Sequence, residues 1–348
     1  MKKGELVAVA MSGGVDSSVA ALLLKKQGFS VIGITMKLIG DKKNEAARAA
    51  RRVCTELNIT HHVVNFSQSF KKCVIDNFVK KYQQGLTPNP CVICNEKIKF
   101  DLLLNYARQL GARHLATGHY VRLKTNKNNG YELFIGEDKN KDQSYFLYRL
   151  RQEQLKYLFF PLGDLTKNQV RQIAQKNKLF TAKREESQEI CFVPDDNYRQ
   201  FLLNNGLINK PGKIINKNKK IIGYHHGLFN YTIGQRKGLG ISNPRPLYVV
   251  KIDIKKNQLV TGEDKELLSD KCLVKNVSWV NGKPPKKNSK ITAKIRYHSL
   301  ATRVNIKKDG VNYICYFVKK QRAITPGQSI VFYQGQRLLG GGIINRSY

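Results

Sequence analysis

The sequence predicts an α/β domain with a doubly wound parallel sheet, followed by two small β-rich domains, the last of which we expect to be a β-barrel. Two observations carry this prediction. In the first half, short apolar runs alternate with helical patterns, as in a parallel sheet covered on both faces. After about Pro194, short runs rich in Val, Ile and Tyr are separated by turns that contain Gly, Asn or Pro.

The elements of the first half are predicted from hydrophobic periodicity and from residues that end helices. We expect strands at Glu5–Met11, Phe29–Met36, His62–Asn65 and His114–Thr117. We expect helices at Ser17–Gln27, Ala46–Leu57, Phe70–Tyr82 and Lys97–Leu110, and a continuing helical pattern from Gln152 to Asn177. Thr166 and Gln169 have the spacing of a capping box, which predicts the start of a helix between them.

Length and composition limit the class of protein. A chain of 348 residues is too long for one ordinary core, and we expect domains at 1–194, 195–266 and 267–348. The net charge of +36 favours a polyanionic partner, although a general enrichment in Lys explains part of it. The sequence has no apolar signal segment and no run long enough to span a bilayer, so we expect a cytoplasmic protein without a membrane partner.

A glycine-serine loop, Ser12-Gly13-Gly14-Val15-Asp16-Ser17-Ser18, stands between the first predicted strand and the first predicted helix. Glycines let backbone N–H groups turn toward one point, and the helix N-terminus adds partial positive charge, so the pattern predicts a phosphate site. The loop lacks the Gly-Lys-Ser/Thr ending of a Walker loop, which makes it better suited to a pyrophosphate that leaves as one unit. Asp16 is a candidate for holding Mg²⁺ on that group.

Seven cysteines at irregular spacing favour free thiols over a disulfide framework. Cys91 and Cys94 lie just before a predicted helix start near Glu96, where we expect a lowered thiol pKa. No second Cys pair is present for zinc, and no thioredoxin context surrounds Cys-x-x-Cys, so reactive thiols that meet Cys191 in space fit sulfur transfer best. The remaining cysteines are expected to be buried hydrophobic residues: Cys54, Cys73, Cys272 and Cys315.

The glycine-serine loop resembles the PP-loop of the ATP pyrophosphatases, and the chain as a whole resembles the tRNA-specific 2-thiouridylases, the MnmA/TrmU family. The matching stretches, in chain order, are Ala10–Ser18, Thr87–Phe100, Ala116–Tyr120, Lys141–Tyr145, Ser187–Phe192, Tyr231–Gly240, Arg296–His298 and Thr325–Ser329. They extend along nearly the full length of the chain and follow the order of the family.

The resemblance implies an ATP-dependent replacement of the 2-oxygen of the wobble uridine of tRNA by sulfur. Cys191 would carry a persulfide, Cys94 would be its partner thiol, and a sulfur-donor protein of a cysteine desulfurase or sulfur relay system would supply the sulfur. The residues implied in contacting ATP, used with Mg²⁺, are Ala10, Met11, Ser12, Gly13, Gly14, Val15, Asp16, Ser17, Met36 and Gly118. Those implied in contacting the target base are Asn89, Pro90 and Cys91. The tRNA would bind through its anticodon loop, and the other residues implied in contacting it are His119, Lys141, Asp142, Gln143, Arg296, Tyr297 and Gln328.

Two departures from the family pattern affect these assignments. Position 91 is Cys where many members have Asp, which makes Cys91 a rival of Cys94 as the working thiol. The stretch from Lys37 to Glu45 is shorter than usual and lacks the usual acidic and cysteine positions. Two alternative functions remain open: another PP-loop enzyme, such as a 4-thiouridine or lysidine-type tRNA enzyme or an amide synthetase, and a basic RNA-binding protein without catalysis.

Overall fold

A five-stranded parallel sheet forms the centre of the first half, in a computed structural model that describes residues 3–39, 45–126, 130–184 and 190–348. Its strands, in spatial order, are β3 (Thr60–Asn65), β2 (Ser30–Lys37), β1 (Leu6–Ala10), β4 (His114–Ala116) and β7 (Leu158–Phe159). The four predicted strands are confirmed. The helical prediction across 152–177 is wrong at β7, because a two-residue strand shows no period.

Helices cover both faces of this sheet. They are α1 (Val15–Lys26), α2 (Glu45–Glu56), α3 (Ser67–Phe70), α4 (Asp76–Gln83), α5 (Pro90–Ile93), α6 (Leu104–Gln109), α7 (Gln152–Leu155) and α8 (Lys167–Lys176). One apolar cluster packs α1, α2 and α8 on one face, and a second cluster packs α6 on the other, which confirms the doubly wound prediction. The predicted capping box is confirmed, since the Gln169 amide donates to Thr166 Oγ1 at 3.3 Å.

Two π-helical segments interrupt these helices. Lys71–Ile75 joins α3 to α4, and Cys94–Leu103 joins α5 to α6. The helix predicted to start near Glu96 therefore begins at Pro90, and both Cys91 and Cys94 lie inside it. Proline at the first helical position accounts for this start, because its missing N–H would have no partner there.

A four-stranded sheet follows in the middle of the chain. Its strands, in spatial order, are β10 (Tyr248–Asp253), β11 (Gln258–Gly262), β8 (Gly212–Ile215) and β9 (Ile221–His225). The all-β prediction beyond Pro194 is wrong at one helix, α9 (Tyr198–Asn204). Leu202 of α9 is fully buried with Phe78 of α4, so this helix packs on the core of the first half.

A closed six-stranded antiparallel barrel ends the chain, as predicted. The strands, in order around it, are β12 (Leu268–Trp279), β15 (Asn312–Arg322), β14 (Thr302–Asp309), β13 (Ile291–Lys294), β16 (Ser329–Gln334) and β17 (Arg337–Ser347). Pairing of β12 with β17 closes the ring. A hairpin from the first half, β5 (Val121–Thr125) and β6 (Tyr131–Ile135), extends the sheet beside β17. No helix among the described residues combines the length and apolar character needed to cross a bilayer.

Candidate active site

The glycine-serine loop lies at the carboxyl end of β1. The strand order reverses direction between β1 and β4, and in open α/β sheets ligands bind at such a switch point. Ser17 Oγ accepts from the Ser12 amide at 3.2 Å and donates to the Gly14 carbonyl at 3.0 Å, which closes the loop on itself. Gly14 is the N-cap of α1 without a side-chain cap, so first-turn amides of α1 remain available to a phosphate.

Close backbone packing shapes this loop. Gly13 has φ +74°, and a Cβ there would lie 2.7 Å from the Ala46 carbonyl oxygen. Gly118, which follows β4, touches the start of α1: a Cβ on Gly118 would lie 2.9 Å from both the Asp16 carbonyl carbon and the Ser17 amide nitrogen. The predicted ATP-contacting residues therefore meet at one edge of the sheet, with Met36 half-buried near the carboxyl end of neighbouring β2.

The carboxylate of Asp16 is held by two side chains that the sequence analysis missed. Its Oδ1 accepts from Lys167 Nζ at 2.7 Å and from the Tyr120 hydroxyl at 2.7 Å, and Lys167 is only 6% exposed. Asp16 Oδ2 has no partner among the described residues. One free carboxylate oxygen beside a phosphate loop fits Mg²⁺, which proteins bind through one or two carboxylates together with substrate phosphates and water.

The three candidate thiols share one neighbourhood. Asn89 is the N-cap of α5, Cys91 lies in its first turn, and Cys94 begins the π-helical segment. Phe192, next to Cys191, packs in the same apolar cluster as Cys94. Cys191 also lies close enough to raise the pKa of both Cys91 and Cys94 through the repulsion between like charges. Folding thus brings Cys191 beside two thiols that precede it by about a hundred residues.

The ionisation of these thiols differs from the sequence-based expectation. Burial raises the pKa of Cys94 to about 12, and desolvation by nearby protein atoms also raises the pKa of Cys91 and Cys191. Cys91 and Cys191 reach solvent, yet protein atoms surround them on most sides, so desolvation remains the largest effect. The expected lowering was wrong, because desolvation outweighs the helix terminus. The Lys99 ammonium acts in the opposite direction at all three sulfurs.

Slow alkylation of Cys94 is one consequence. With a pKa of about 12 against an ordinary value of 9.0, its thiolate fraction near pH 8 is about 10³-fold below that of an unfolded cysteine. We expect iodoacetamide to modify Cys94 at least about 10²-fold more slowly in the folded protein than in urea. Peptide mass spectrometry over time measures both rates, and equal rates would contradict this ionisation state.

The loop that precedes α5 is held by both β-rich regions. The Thr87 amide donates to the Pro326 carbonyl of the barrel at 3.0 Å, and Thr87 Oγ1 donates to Thr232 Oγ1 of the middle region at 3.5 Å. The Asn89 side chain lies near the hydroxyl of Tyr145, and that hydroxyl donates to the Ser329 carbonyl at 2.8 Å. The residues predicted to contact the target base, Asn89, Pro90 and Cys91, therefore lie where the three parts of the chain meet.

Substitution of Gly327 tests the importance of this junction. Gly327 has φ +93°, and a Cβ there would lie 2.8 Å from the Thr87 amide nitrogen and 2.9 Å from its carbonyl oxygen. We expect Gly327→Ala to displace the 87–91 loop and to lower product formation by about 10-fold to 10²-fold, the scale of a misplaced catalytic group. ATP binding, measured by equilibrium dialysis, should not change. Gly206→Ala is the matched control, because Gly206 has φ +91° and no atom within 4 Å of a Cβ.

Two residues predicted to contact tRNA are buried. His119 donates to or accepts from Thr117 Oγ1 at 2.7 Å and packs on the Phe100 ring at 5.6 Å, and desolvation holds its pKa well below the usual range. Asp142 accepts from the Gly136 and Ser144 amides at 3.0 Å each. Both side chains are well placed to hold the loops around them in position.

The other candidates for tRNA contact reach the surface at least in part. Lys141, Gln143, Arg296, Tyr297 and Gln328 are all partly exposed. The Tyr297 ring packs on Phe146 at 4.5 Å, and Arg296 Nη2 donates to the Arg322 carbonyl at 2.8 Å. Gln143 has a structural contact, since its Oε1 accepts from the Tyr120 amide at 3.1 Å.

Parts of the predicted motifs lie outside the described residues, namely 187–189 before Ile190 and 40–44 in the shortened stretch. The expected burial of the remaining cysteines is confirmed for Cys54, Cys272 and Cys315, whereas Cys73 is half-buried. Arg184 was also missed: its Nη1 donates to the Gly13 carbonyl at 2.9 Å, and nothing local in the sequence links residues so far apart.

A PP-loop domain with neighbouring thiols, followed by two β-rich units, is the arrangement of an ATP-using enzyme that transfers sulfur. Three family models match the chain: a tRNA methyl transferase HUP domain at residues 5–195, a tRNA methyl transferase PRC-barrel domain at 199–263 and an aminomethyltransferase β-barrel domain at 269–344. The chain belongs to the family of MnmA tRNA-specific 2-thiouridylases, because it matches members of that family over nearly their full length.

The relatives match over nearly their whole length. The chain is 45% identical over 367 residues to the tRNA-specific 2-thiouridylase MnmA 2 of Thermoanaerobacter sp. (strain X514), covering 99% of both chains. It is 45% identical to MnmA of Halothermothrix orenii, covering 98% of this chain and 99% of the relative. It is 44% identical to MnmA of Geobacter metallireducens, covering 99% and 98%. The thiols fit the thiouridylase name of these relatives better than the methyl transferase wording of the family models.

Proposed function

We propose that the protein transfers sulfur to C2 of the wobble uridine, position 34, of tRNA, using ATP and a cysteine persulfide, to give 2-thiouridine. The observation that supports this most is the proximity of Cys191 to Cys94, in a region that other residues connect to the nucleotide loop. A short path of contacts links the two parts: Gly118 touches Asp16, and the adjacent His119 packs on Phe100 of the π-helical segment. Activation and sulfur transfer would then take place on one bound base.

The chemistry explains why the site needs both parts. The 2-oxygen of uracil is a poor leaving group, and transfer of AMP to it, with loss of pyrophosphate, makes C2 electrophilic. The terminal sulfur of the Cys191 persulfide attacks C2 and AMP leaves. The Cys94 thiolate then attacks Cys191 Sγ, which releases 2-thiouridine and leaves a Cys94–Cys191 disulfide. A thiol reductant must reduce that disulfide before the next cycle.

The residues of the loop bind the nucleotide in this proposal. First-turn amides of α1 and the Ser12 hydroxyl would donate to the phosphates, and Asp16 Oδ2 would hold Mg²⁺, which would neutralise charge on the leaving pyrophosphate. Lys167 and Tyr120 fix the orientation of the Asp16 carboxylate through Oδ1. Gly118 leaves room for the first turn of α1 to approach the end of β4.

The tRNA is the polyanionic partner that the +36 charge favours. A uridine of the anticodon loop can leave its stack at a cost of a few kcal/mol, which is less than a base paired in a helix requires. We divide the chain accordingly into a catalytic domain at 1–194 and two domains at 195–266 and 267–348 that hold the tRNA. A sulfur-donor protein loads Cys191, which is exposed. Seven free cysteines suit the reducing cytoplasm, where we place the reaction.

Mass spectrometry of nucleosides tests this function directly. Unmodified tRNA is incubated with the protein, ATP, Mg²⁺ and a persulfide source, then digested to nucleosides. We expect 2-thiouridine that depends on ATP and comes from position 34. Formation of 4-thiouridine or lysidine would support another PP-loop tRNA enzyme, and tRNA binding without release of pyrophosphate would support a non-catalytic RNA-binding protein.

A further inference from the structure

Lys99 lies close enough to all three thiols to act on them electrostatically, and it has no acidic partner in the described part of the chain. The side chain is half-buried in the π-helical segment, and its ammonium has no hydrogen bond or ion pair among residues 3–39, 45–126, 130–184 and 190–348. Two neighbouring cations are engaged elsewhere, since Arg149 Nη1 lies 2.7 Å and Lys97 Nζ lies 3.7 Å from Glu96 carboxylate oxygens. A half-buried cation without a counter-ion is costly unless an anion forms beside it.

The π-helical geometry directs Lys99 toward Cys94. In a π-helix the amide of residue i+5 bonds to the carbonyl of residue i, so residues five apart lie roughly above one another. In an α-helix, residues three and four apart share a face instead. Cys94 and Lys99 are five apart, and both lie in the π-helical segment Cys94–Leu103. The unusual helix thus brings the lysine to the face of the thiol.

The charge of Lys99 acts on each sulfur of the site. It lowers the pKa of Cys91, Cys94 and Cys191, against the burial that raises them. Within the described residues, the other groups that act on these sulfurs are the neighbouring thiols and the backbone amide of Cys191 itself. His119 supplies no second positive charge, because burial and Lys99 together hold its pKa well below the usual range. Cys94 also belongs to an apolar cluster that includes Phe70, Phe78 and Ile98.

We propose that Lys99 is the positive counter-charge for the anionic sulfur species of this site. Its part in sulfur transfer rests on the proposed function, whereas its effect on thiol ionisation does not. When Cys94 attacks, its thiol first gives a proton to water. The Cys94–Cys191 bond then forms, the bond from Cys191 Sγ to the transferred sulfur breaks, and that sulfur leaves with the electron pair. Lys99 stays protonated throughout and stabilises the thiolate before attack.

The first measurement needs no substrate. Rates of iodoacetamide alkylation at Cys91, Cys94 and Cys191 are measured by peptide mass spectrometry between pH 7.5 and 9.5, in wild type, Lys99→Met, Lys99→Arg and Lys97→Met. Removal of an opposite charge at close range lowers the thiolate fraction, so we expect about tenfold slower alkylation in Lys99→Met at each pH. Lys99→Arg should restore the rates, and Lys97→Met should match wild type because Lys97 is exposed and paired with Glu96.

The second measurement addresses transfer. In single-turnover reactions with persulfide-loaded protein, we expect Lys99→Met to form 2-thiouridine about tenfold more slowly than wild type, with both rates rising with pH and with tRNA-dependent pyrophosphate release unchanged. Unshifted alkylation rates in Lys99→Met, or an equal shift in Lys97→Met, would overturn the counter-charge. If Lys99→Met is alkylated more slowly but the wild-type protein itself forms no 2-thiouridine, the counter-charge is supported and the proposed function is rejected.

Discussion

Replacement of either Cys94 or Cys191 by Ser is expected to abolish 2-thiouridine formation and to leave tRNA affinity unchanged. A serine hydroxyl cannot carry a persulfide or attack an S–S bond, and loss of a covalent nucleophile lowers turnover by about 10³-fold or more. Nucleoside mass spectrometry measures the product, and a filter-binding titration measures tRNA affinity. Persulfide should still accumulate on Cys191 in Cys94→Ser, because only the later attack is missing.

Cys73→Ser is the matched control for both variants, since Cys73 is a half-buried cysteine of the neighbouring Lys71–Ile75 segment. It should form product at the wild-type rate. Cys91→Ser tests the rival thiol, which shares the neighbourhood of Cys191. Normal product from Cys94→Ser, together with none from Cys91→Ser, would give Cys91 the role of attacking thiol. Normal product from Cys191→Ser would contradict the two-thiol scheme itself.

Gly118→Ala should give the second large effect, on activation by ATP. A Cβ at this position would lie 2.9 Å from backbone atoms of Asp16 and Ser17, so the first turn of α1 must move. That turn carries the amides and the carboxylate that bind the nucleotide in the proposed function. A misplacement near 1 Å costs about 10²-fold in rate. We expect tRNA-dependent pyrophosphate release to fall by about that factor, as measured with a coupled pyrophosphatase assay.

Gly223→Ala is the control for Gly118→Ala. Its Cβ would lie 3.2 Å from the flexible Ile241 side chain, in the middle sheet and away from the nucleotide loop. Release of pyrophosphate should be the same as in wild type. If Gly118→Ala kept full activity, Gly118 would not position α1 against β4, and the nucleotide site would need a different geometry.

Much of the fold could be predicted because its core elements are long enough to show a hydrophobic period. The strands around β1 and helices α1 and α2 are of this kind, and each was expected within two residues of its observed bounds. Several elements were missed: β7 has two residues, and the π-helical segments do not follow the period of an α-helix. The hairpin strands β5 and β6 were not predicted either. Helix α9 was not predicted because the surrounding sequence has the patterns of β-strands.

The site was predicted where local sequence carries the chemistry, as in the glycine-serine loop. Contacts between distant residues could not be predicted. Lys167 reaches Asp16 across 151 residues, and Arg184 reaches Gly13 across 171, with no local pattern to mark either. The predicted direction of the thiol pKa shift was also wrong, because the sequence shows that a helix starts near these cysteines but does not show how deeply Cys94 is buried.

Transfer of labelled sulfur tests the central claim most directly. Cys191 is loaded with persulfide that carries sulfur-34, excess donor is removed, and tRNA with ATP and Mg²⁺ is added for one turnover. We expect sulfur-34 in 2-thiouridine at position 34 and, at the same rate, a disulfide between Cys94 and Cys191 in the protein. Label that stays on the protein while tRNA and ATP are bound, or 2-thiouridine that forms without this disulfide, would contradict transfer between these two thiols.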